Sequence, residues 1–422
     1  MRKNWILLFS LLLCVCTITA QTARKEIEGN ILKSASNYYA YPSGQLPVLT
    51  PAPKGYQPFY IDHYGRHGSR WLIDRSQYSF PMEQLAKADK YGKLTDKGKM
   101  VFAELCKINA SSENRLGELT DVGADQHKGI AARMYKNFPQ VFSGSASVDA
   151  RSTIVIRCIL SMENECQQLI ALNPKLKITH DASHADMYYL NYNDTTLRYV
   201  RHEAGKAFEQ FEKAHVHPQR ILNELISDEA FGRDSIDGMR FISDLFDVAS
   251  NQQSHYTNVS FYDLFNNDEL YDLWQTENVY WYINYGPSPA TKGRVPYSQS
   301  NLLKNMIASA DKAISNGRNC ATLRFGHEVC VMPLACLMEL DNCGKSVDNL
   351  DELADQWQNY KIFPMGCNIQ MIFYKKAGSK DVLVKVLLNE RETSLPVKTD
   401  MKPYYHWNDV KAYYEKKLTS FN

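Results

Sequence analysis

The sequence predicts an α/β fold in which a mixed, mostly parallel sheet is flanked by helices. Short apolar runs alternate along the chain with longer segments of helical periodicity, as strands and helices do in such folds. Two of the runs end in glycine-bounded turns. A third run, at 382–388, is apolar almost throughout, as a strand buried on both faces should be.

The first half of the chain gives the order strand, capped helix, strand, capped helix. Residues 59–65 form an apolar run that ends at a glycine, which predicts a short buried strand. Thr120 is placed to cap the next helix. Residues 145–150 predict a second strand, after which Ser152 is placed to cap a further helix.

The amino-acid composition changes between about 176 and 299, where aromatic, Asn-rich and Asp-rich segments surround helical stretches. Strand-like runs return at 321–325 and 368–374. We therefore expect an α/β core formed by residues 21–175 and 300–422, with residues 176–299 inserted as a mainly α-helical cap.

The first twenty residues are typical of an export signal rather than of a membrane span. Arg2 and Lys3 precede an apolar run, and a plausible cleavage site lies before Gln21. A lipoprotein signal at Cys14 or Cys16 is disfavoured because the small residue usually found before such a cysteine is missing. No later segment approaches the roughly 18 to 20 apolar residues of a membrane helix. The sequence predicts a periplasmic or secreted protein.

The net charge limits the classes of ligand that the chain can bind, and the cysteine count bears on disulfides. Without the signal, 46 basic residues (48 − 2) face 47 acidic ones, a net charge of −1. Such a chain is a poor candidate for nucleic-acid binding, which needs a broad basic surface, so any anionic ligand must be held by clustered cations. Eight cysteines (10 − 2) remain, an even number that permits disulfides but does not reveal their pairing.

The turn at 66–70 reads Arg-His-Gly-Ser-Arg and follows the first predicted strand. Two guanidiniums beside one imidazole repel each other unless an anion lies between them, and the planar fork of arginine matches phosphate oxygens. A neutral imidazole among fixed cations is also a usable nucleophile. The structural alternative is a solvated basic turn or a salt-bridged strand end.

A second turn and one helix supply further candidates. The run at 321–325 leads into Gly-His-Glu, which places His327 and Glu328 at another strand end. In a parallel sheet both turns open on the same edge, where His327 is suited to bind phosphoryl oxygens and Glu328 to act as general acid. Arg157 is expected to share a helix face with Ser161, and an ordinary core salt bridge is the alternative for this arginine.

A metal centre is not predicted. His327 and Glu328 begin an H-E-x-x-H pattern, but Val331 takes the place of the second histidine. We expect neither a metal nor an organic cofactor.

These residues together resemble the histidine acid phosphatases, in the branch that includes phytases and multiple inositol-polyphosphate phosphatases. The resemblance rests on the residues of the two turns, on Arg157 and on the flanking phrases LTDVGADQHKGIAARM, FPMGCNIQMIFY and VLLNER. It implies a phosphoglycerate-mutase-like core with an α-helical cap. The family commonly has Asp directly after the second histidine, or Glu one residue further on. Here Glu328 is adjacent, so a cap carboxylate is the alternative proton donor.

The resemblance implies a metal-free, two-step hydrolysis of phosphate monoesters. His67 would be the nucleophile that forms a phosphohistidine, with Glu328 as proton donor. The phosphate oxygens would be held by four side chains, those of Arg66, Arg70, Arg157 and His327. The expected partner is a phosphorylated small molecule, with inositol phosphates such as phytate favoured. The alternatives are a broad acid phosphatase for sugar phosphates or nucleotides, and a phosphate-ester binding protein with weak turnover.

Overall fold

The computed structural model describes residues 22–41 and 46–420. The predicted export signal and cleavage site lie outside these residues. Within the part of the chain that is described, no helix is long and apolar enough to span a bilayer.

One twisted sheet organises the molecule. Its strands are β1 (Tyr56–Arg66), β2 (Ser147–Ser152), β3 (Lys177–Ala182), β4 (Cys320–Gly326), β5 (Asn368–Lys376), β6 (Val382–Leu388), β7 (Arg391–Glu392) and β8 (Tyr405–His406). Their order is β3-β2-β4-β1-β5-β6-β7, and β8 pairs with β6. The pairs β3–β2, β2–β4 and β4–β1 are parallel, whereas β5 and the strands beyond it continue the sheet by antiparallel pairing.

Helices surround this sheet. They are α1 (Thr22–Gly29), α2 (Arg75–Lys90), α3 (Asp96–Ser111), α4 (Asp121–Asn137), α5 (Ile156–Leu172), α6 (Met187–Leu190), α7 (Leu197–His215), α8 (Gln219–Leu225), α9 (Glu229–Ser235), α10 (Gly238–Asn251), α11 (Asn267–Tyr285), α12 (Ser300–Asn316), α13 (Glu328–Leu337), α14 (Leu353–Gln356), α15 (Asn359–Ile362) and α16 (Trp407–Thr419). Between α1 and β1, residues Ile31–Tyr38 form 3₁₀ turns that are interrupted by a kink at Ser36. The expected α/β class is confirmed.

One expected element boundary is wrong. Ser152 is the last residue of β2 rather than the cap of the next helix, and its hydroxyl donates to the carbonyl of Thr153. The helix starts at Ile156, after Val155, with no side-chain cap. Pairing of β2 with β4 continues through Ser152, so the sheet takes this residue before a helix can begin.

The segment expected to form the cap begins with a sheet strand. Residues of β3 pair in parallel with β2, and the helices α6 to α11 follow within the predicted range. The division of the chain into a core and a cap stays a proposal.

The core lies on both faces of the sheet. Strand β1 is buried from Pro58 onward, and β5 is buried over its first seven residues. One apolar cluster packs β1 and β5 against α12, α13 and α16, and a second packs the other face against α4 and α5. All eight cysteines of the described chain are free thiols, so disulfides do not contribute to this fold.

Candidate active site

The site is built where three parallel strands end together. Arg66 of β1 lies opposite Gly326 of β4, and Ser152 of β2 lies opposite Phe325. The residues that follow each strand therefore meet at one edge of the sheet, which is where α/β folds place their ligand crevices. The rings of His67 and His327 are 5.7 Å apart and meet edge-on. The prediction that the two turns converge is confirmed by this geometry.

Gly68 allows the turn after β1 to pack directly on the first turn of α4. A Cβ at this position would lie 2.4 Å from the carbonyl oxygen of Gly123, and a Cβ on Gly123 would lie 2.2 Å from the carbonyl oxygen of Ser69. Both approaches are too close for any side chain. The glycines are thus needed for contact between two backbone segments, which fixes the position of His67.

The hydrogen bonding of His67 defines which ring nitrogen can react. Its Nδ1 lies 2.9 Å from the carbonyl oxygen of Gly68, and a carbonyl only accepts, so Nδ1 carries the proton. The Nε2 atom then has a free lone pair and faces Glu328, whose Oε2 is 3.5 Å away. Burial lowers the pKa of His67 well below its ordinary value, and Arg157 and Arg66 lower it further against the opposing effect of Glu328. The neutral form of the imidazole is therefore favoured, and in that form Nε2 has the lone pair that a nucleophile needs.

Arg66 is held rigidly in the same crevice. Its side chain is fully buried, and Nη1 donates to the carbonyl oxygens of Asn37 at 2.7 Å and Phe363 at 3.0 Å. Its Nε lies 2.9 Å from Oε2 of Glu328 in an ion pair. The remaining donor, Nη2, has no hydrogen-bond partner among the described residues.

Two further arginines complete the cationic wall. Arg70 is 2% exposed, its Nη1 donates to the carbonyl oxygen of Trp71, and its guanidinium carbon lies 5.5 Å from the ring centroid of Tyr38. Arg157 is half-buried and makes one long contact, 3.4 Å from Nη1 to the carbonyl oxygen of Gly117. Burial and the nearby Arg70 lower the pKa of Arg157. No carboxylate pairs with either arginine among the described residues, so the core salt bridge considered for Arg157 is absent there.

His327 lies at the N-cap of α13, beside the thiol of Cys158. Its Nε2 is 3.3 Å from Oγ1 of Thr153 and 3.6 Å from the Cys158 sulfur. Burial lowers the pKa of His327 to about 4, with Glu328 acting in the opposite direction and the three arginines of the crevice lowering it further. A neutral His327 can donate one hydrogen bond to an anion without adding a charge.

Glu328 is the anion within this cationic wall. Its side chain is 13% exposed. Burial alone would raise the pKa of this carboxyl, but the guanidiniums of Arg66 and Arg70 hold the pKa well below its usual range. The carboxylate therefore lies between Nε2 of His67 and Nε of Arg66.

The unsatisfied polar atoms identify the kind of ligand. Buried atoms without a hydrogen-bond partner among the described residues include Nη2 of Arg66, Nε of Arg70 and Nε of Arg157. Buried donors left unpaired are costly, so several that converge on one crevice indicate an anionic ligand with many acceptor oxygens. Donor atoms of His67, His327 and Glu328 lie within 4.8 Å of one another, as metal ligands would. The guanidiniums of Arg66, Arg70 and Arg157 would repel a metal cation at this position.

The structure also places residues in the site that sequence reasoning missed. The turn is held by Gln126, whose side chain accepts from Ser69 N at 2.8 Å and donates to Ser69 Oγ at 2.9 Å. Asn37 and Tyr38 reach the arginines from a segment far from either turn in sequence. Gln126 falls within one of the phrases that carried the resemblance, whereas no sequence signal marked Asn37 or Tyr38.

We expect Thr120→Ala to lower the free energy of unfolding by about 1 to 2 kcal/mol, because the Thr120 hydroxyl caps α4. It accepts from Gly123 N at 3.2 Å and donates to the carbonyl oxygen of Ser69 at 3.0 Å, so the change also loosens the turn that carries His67. We expect kcat to fall by up to about tenfold. Urea denaturation and steady-state phosphate release measure the two effects.

Thr95→Ala is the matched control. Thr95 caps α3 in the same way, accepting from Gly98 N at 2.9 Å and donating to the carbonyl oxygen of Glu224 at 2.7 Å. It should lose similar stability and keep native kcat. Equal kcat losses in the two variants would show that Thr120 has no special link to the site.

Comparison with known proteins identifies the family. Residues 65–389 match the histidine phosphatase superfamily (branch 2). No curated protein matches the chain.

Solved structures share the fold at low sequence identity. The multiple inositol polyphosphate phosphatase of Bifidobacterium longum, solved with inositol hexasulfate, has a TM-score of 0.70 at 18% identity, covering 90% of this chain and 97% of its own. The phytase of D. castellii has a TM-score of 0.69 at 14% identity, covering 92% of this chain and 86% of its own. The apo phytase of Hafnia alvei has a TM-score of 0.51 at 11% identity, covering 87% of this chain and 98% of its own.

The family match covers most of the chain and includes both turns of the crevice, where two imidazoles converge beside buried guanidiniums. The chain therefore belongs to branch 2 of the histidine phosphatase superfamily and is a phosphomonoester hydrolase.

Proposed function

We propose that the chain is an exported phosphatase that releases phosphate from inositol phosphates, phytate among them, through a phosphohistidine on His67. The observation that carries the mechanism is the free Nε2 of His67 beside unpaired guanidinium donors. Support for the substrate class comes from two structural relatives, one named as a multiple inositol polyphosphate phosphatase bound to inositol hexasulfate and one as a phytase. Support for export comes from the pattern of the first twenty residues.

The first step forms a covalent enzyme intermediate. The lone pair on Nε2 of His67 attacks phosphorus in line with the ester oxygen, and the phosphorus–oxygen bond to the alcohol breaks as the phosphorus–nitrogen bond forms. Arg66, Arg70 and Arg157 neutralise the non-bridging oxygens, and His327 donates to one of them. Glu328, in its carboxylic acid form, protonates the departing alkoxide.

The second step regenerates the enzyme. Water attacks the phosphorus of the phosphohistidine, and the Glu328 carboxylate accepts one proton from this water. The bond to Nε2 breaks, inorganic phosphate leaves, and the neutral imidazole is restored. Side chains supply every role in both steps. The arginines carry the positive charge that stabilises the transferring phosphoryl group.

A broad acid phosphatase is the second candidate, and the surface beside Arg157 favours it. Ile156 is 69% exposed, and Ile73, which borders Gly117 together with Arg157, is 53% exposed. These side chains provide no positive charge that could bind the additional phosphate groups of a polyphosphorylated substrate. An apolar or uncharged leaving group would contact them without penalty.

A substrate panel tests the proposal. We expect kcat/KM for phytate to exceed the values for a sugar phosphate, a nucleotide and p-nitrophenyl phosphate, measured as phosphate release from pH 3 to pH 8. Higher kcat/KM for p-nitrophenyl phosphate, with slow release from phytate throughout, would favour the second candidate. Tight phosphate-ester binding without release at any pH would contradict both.

A further inference from the structure

We propose that residues 31–41, which we call the strap, belong to the phosphate-binding apparatus, and that Tyr38 is a positioning residue for Arg70. The strap precedes residue 65, where the family match begins. The proposal rests on the assignment of Arg66 and Arg70 as phosphate ligands.

The strap fixes one side of Arg66. The carbonyl oxygen of Asn37 accepts from Nη1 of Arg66 at 2.7 Å, and the carbonyl of Phe363 accepts from the same nitrogen at 3.0 Å. Two fixed acceptors on one nitrogen of a planar group set the orientation of the whole guanidinium. Nε and Nη2 are left on the sides that these carbonyls do not occupy. Nε forms the ion pair with Glu328, and Nη2 lacks a hydrogen-bond partner among the described residues.

The strap supports Arg70 through an aromatic ring. The guanidinium carbon of Arg70 lies 5.5 Å from the ring centroid of Tyr38, within the range of a cation–π contact. Both side chains are buried, so water does not screen the contact. The carbonyl of Trp71 accepts from Nη1 at 2.9 Å, while Nε of Arg70 remains unpaired in the described chain. A ring and a carbonyl thus hold Arg70 in place and leave a donor for an anion.

Tyr38 is itself held in one orientation. Its Oη accepts from Nε2 of Gln77 at 3.2 Å, and the same Gln77 nitrogen donates to Oδ2 of Asp247 at 2.6 Å. Burial raises the pKa of Tyr38, and Asp247 adds to this effect, so the phenol stays protonated and neutral. Gln77 on α2 and Asp247 on α10 therefore anchor the ring that faces Arg70.

The strap keeps a backbone conformation that is unfavourable for its sequence. Ser36 has a φ of 55° and a ψ of −121°, a region that favours glycine. Its hydroxyl accepts from Nδ2 of Asn359 at 2.7 Å, and three residues later the carbonyl of Tyr39 accepts from Met365 N at 2.8 Å. Such strain persists where surrounding contacts enforce it and is concentrated at functional sites. Here it turns the chain so that Asn37 and Tyr38 face the two arginines.

Phosphate affinity at position 38 tests the proposal. We expect Tyr38→Leu to raise the Kd of inorganic phosphate about tenfold in titration calorimetry, because Arg70 loses the ring that orients it. The Km for p-nitrophenyl phosphate should rise by a similar factor, with kcat changed less. Tyr38→Phe keeps the ring and should stay within about threefold of the native Kd.

Phe80→Leu is the matched control. The Phe80 ring lies 4.0 Å from the guanidinium carbon of Arg240, a cation–π pair that includes none of the proposed phosphate ligands. This variant should keep the native Kd. If Tyr38→Leu fails to fold, pentafluorophenylalanine at position 38 decides the matter, since it keeps the shape of the ring and reverses its quadrupole. We expect the phosphate Kd to rise about tenfold relative to Tyr38→Phe.

An unchanged phosphate Kd in folded Tyr38→Leu, or in the pentafluoro protein, would overturn the positioning role. A loss of thermal stability without loss of affinity would do the same, since it would show that the ring serves packing alone. Failure of the native protein to bind phosphate would instead count against the assignment of the arginines on which the inference rests.

Discussion

His67→Ala is expected to abolish turnover, with kcat falling by at least about 10⁴-fold on every phosphate monoester. The reason is structural. His67 offers a lone pair on Nε2 because its Nδ1 proton is used by the carbonyl of Gly68, and its low pKa keeps this lone pair available in acid. Single-turnover phosphate release measures the loss. In the native protein, the phosphohistidine is not expected to survive acid. It should therefore be trapped under denaturing alkaline conditions, where phosphohistidine survives.

The variant should still bind phosphate, since Arg66, Arg70 and Arg157 remain in place. Calorimetry with inorganic phosphate therefore separates loss of chemistry from loss of the fold. His180→Ala serves as control, because the His180 side chain is 51% exposed and pairs with Glu163 away from the crevice. Residual turnover in His67→Ala within about a hundredfold of the native rate would require a different nucleophile.

The strand ends of this site could be predicted from the sequence because the information there is local. Residues 59–65 and 321–325 are strand-like runs, followed by Arg-His-Gly at 66–68 and by Gly-His at 326–327. The rule that parallel strands present their carboxyl ends at one edge then brings His67 and His327 together. The register of β1 with β4 has this consequence, since Arg66 lies opposite Gly326.

The support around these strand ends could not be predicted, because it depends on long-range packing. Asn37 lies 29 residues before Arg66, and its contact uses a backbone carbonyl, a group that every residue possesses. Ser152 has a favourable capping side chain, yet sheet pairing with Phe325 takes precedence over the local helix signal. The backbone of Gly123 packs where a Cβ of Gly68 would lie, a contact between segments 55 residues apart (123 − 68) that no local signal at the turn reveals.

Glu328→Gln is expected to separate substrates by their leaving groups. On phytate and on alkyl phosphates kcat should fall by about 10²- to 10⁴-fold, because an alkoxide leaves poorly without a proton. The first turnover of p-nitrophenyl phosphate should fall by less than about tenfold, since p-nitrophenolate leaves without protonation. Rapid-quench measurement of the first turnover is needed, because Glu328 also activates water in the second step.

The pH dependence follows from the contact between Glu328 and Arg66. Arg66 and its neighbours hold the pKa of Glu328 low in the free enzyme, so the carboxyl is ionised there even in mild acid. A bound phosphoryl dianion engages the same guanidinium and repels the carboxylate, which raises the pKa of Glu328 within the complex. For alkyl phosphates, native kcat should therefore be highest on the acid side and fall as pH rises through that raised pKa. Glu328→Gln should lose this alkaline decline.

Glu328→Asp is the matched variant, because it keeps a carboxyl and shortens its reach by one methylene. It should retain kcat within about tenfold of the native value and keep the acid optimum. The competing donors are Asp247 and Glu277, whose pKa values are raised by burial. Asp244 adds to the effect on Asp247, and Asp247 adds to the effect on Glu277, so both carboxyls hold protons where Glu328 does not. Asp247 is joined through Gln77 to Tyr38 rather than to His67. Loss of the proton donor should slow substrates with basic leaving groups more than substrates with acidic ones. If Glu328→Gln slows all leaving groups equally while Asp247→Asn slows only alkyl phosphates, the donor therefore lies in the predicted cap.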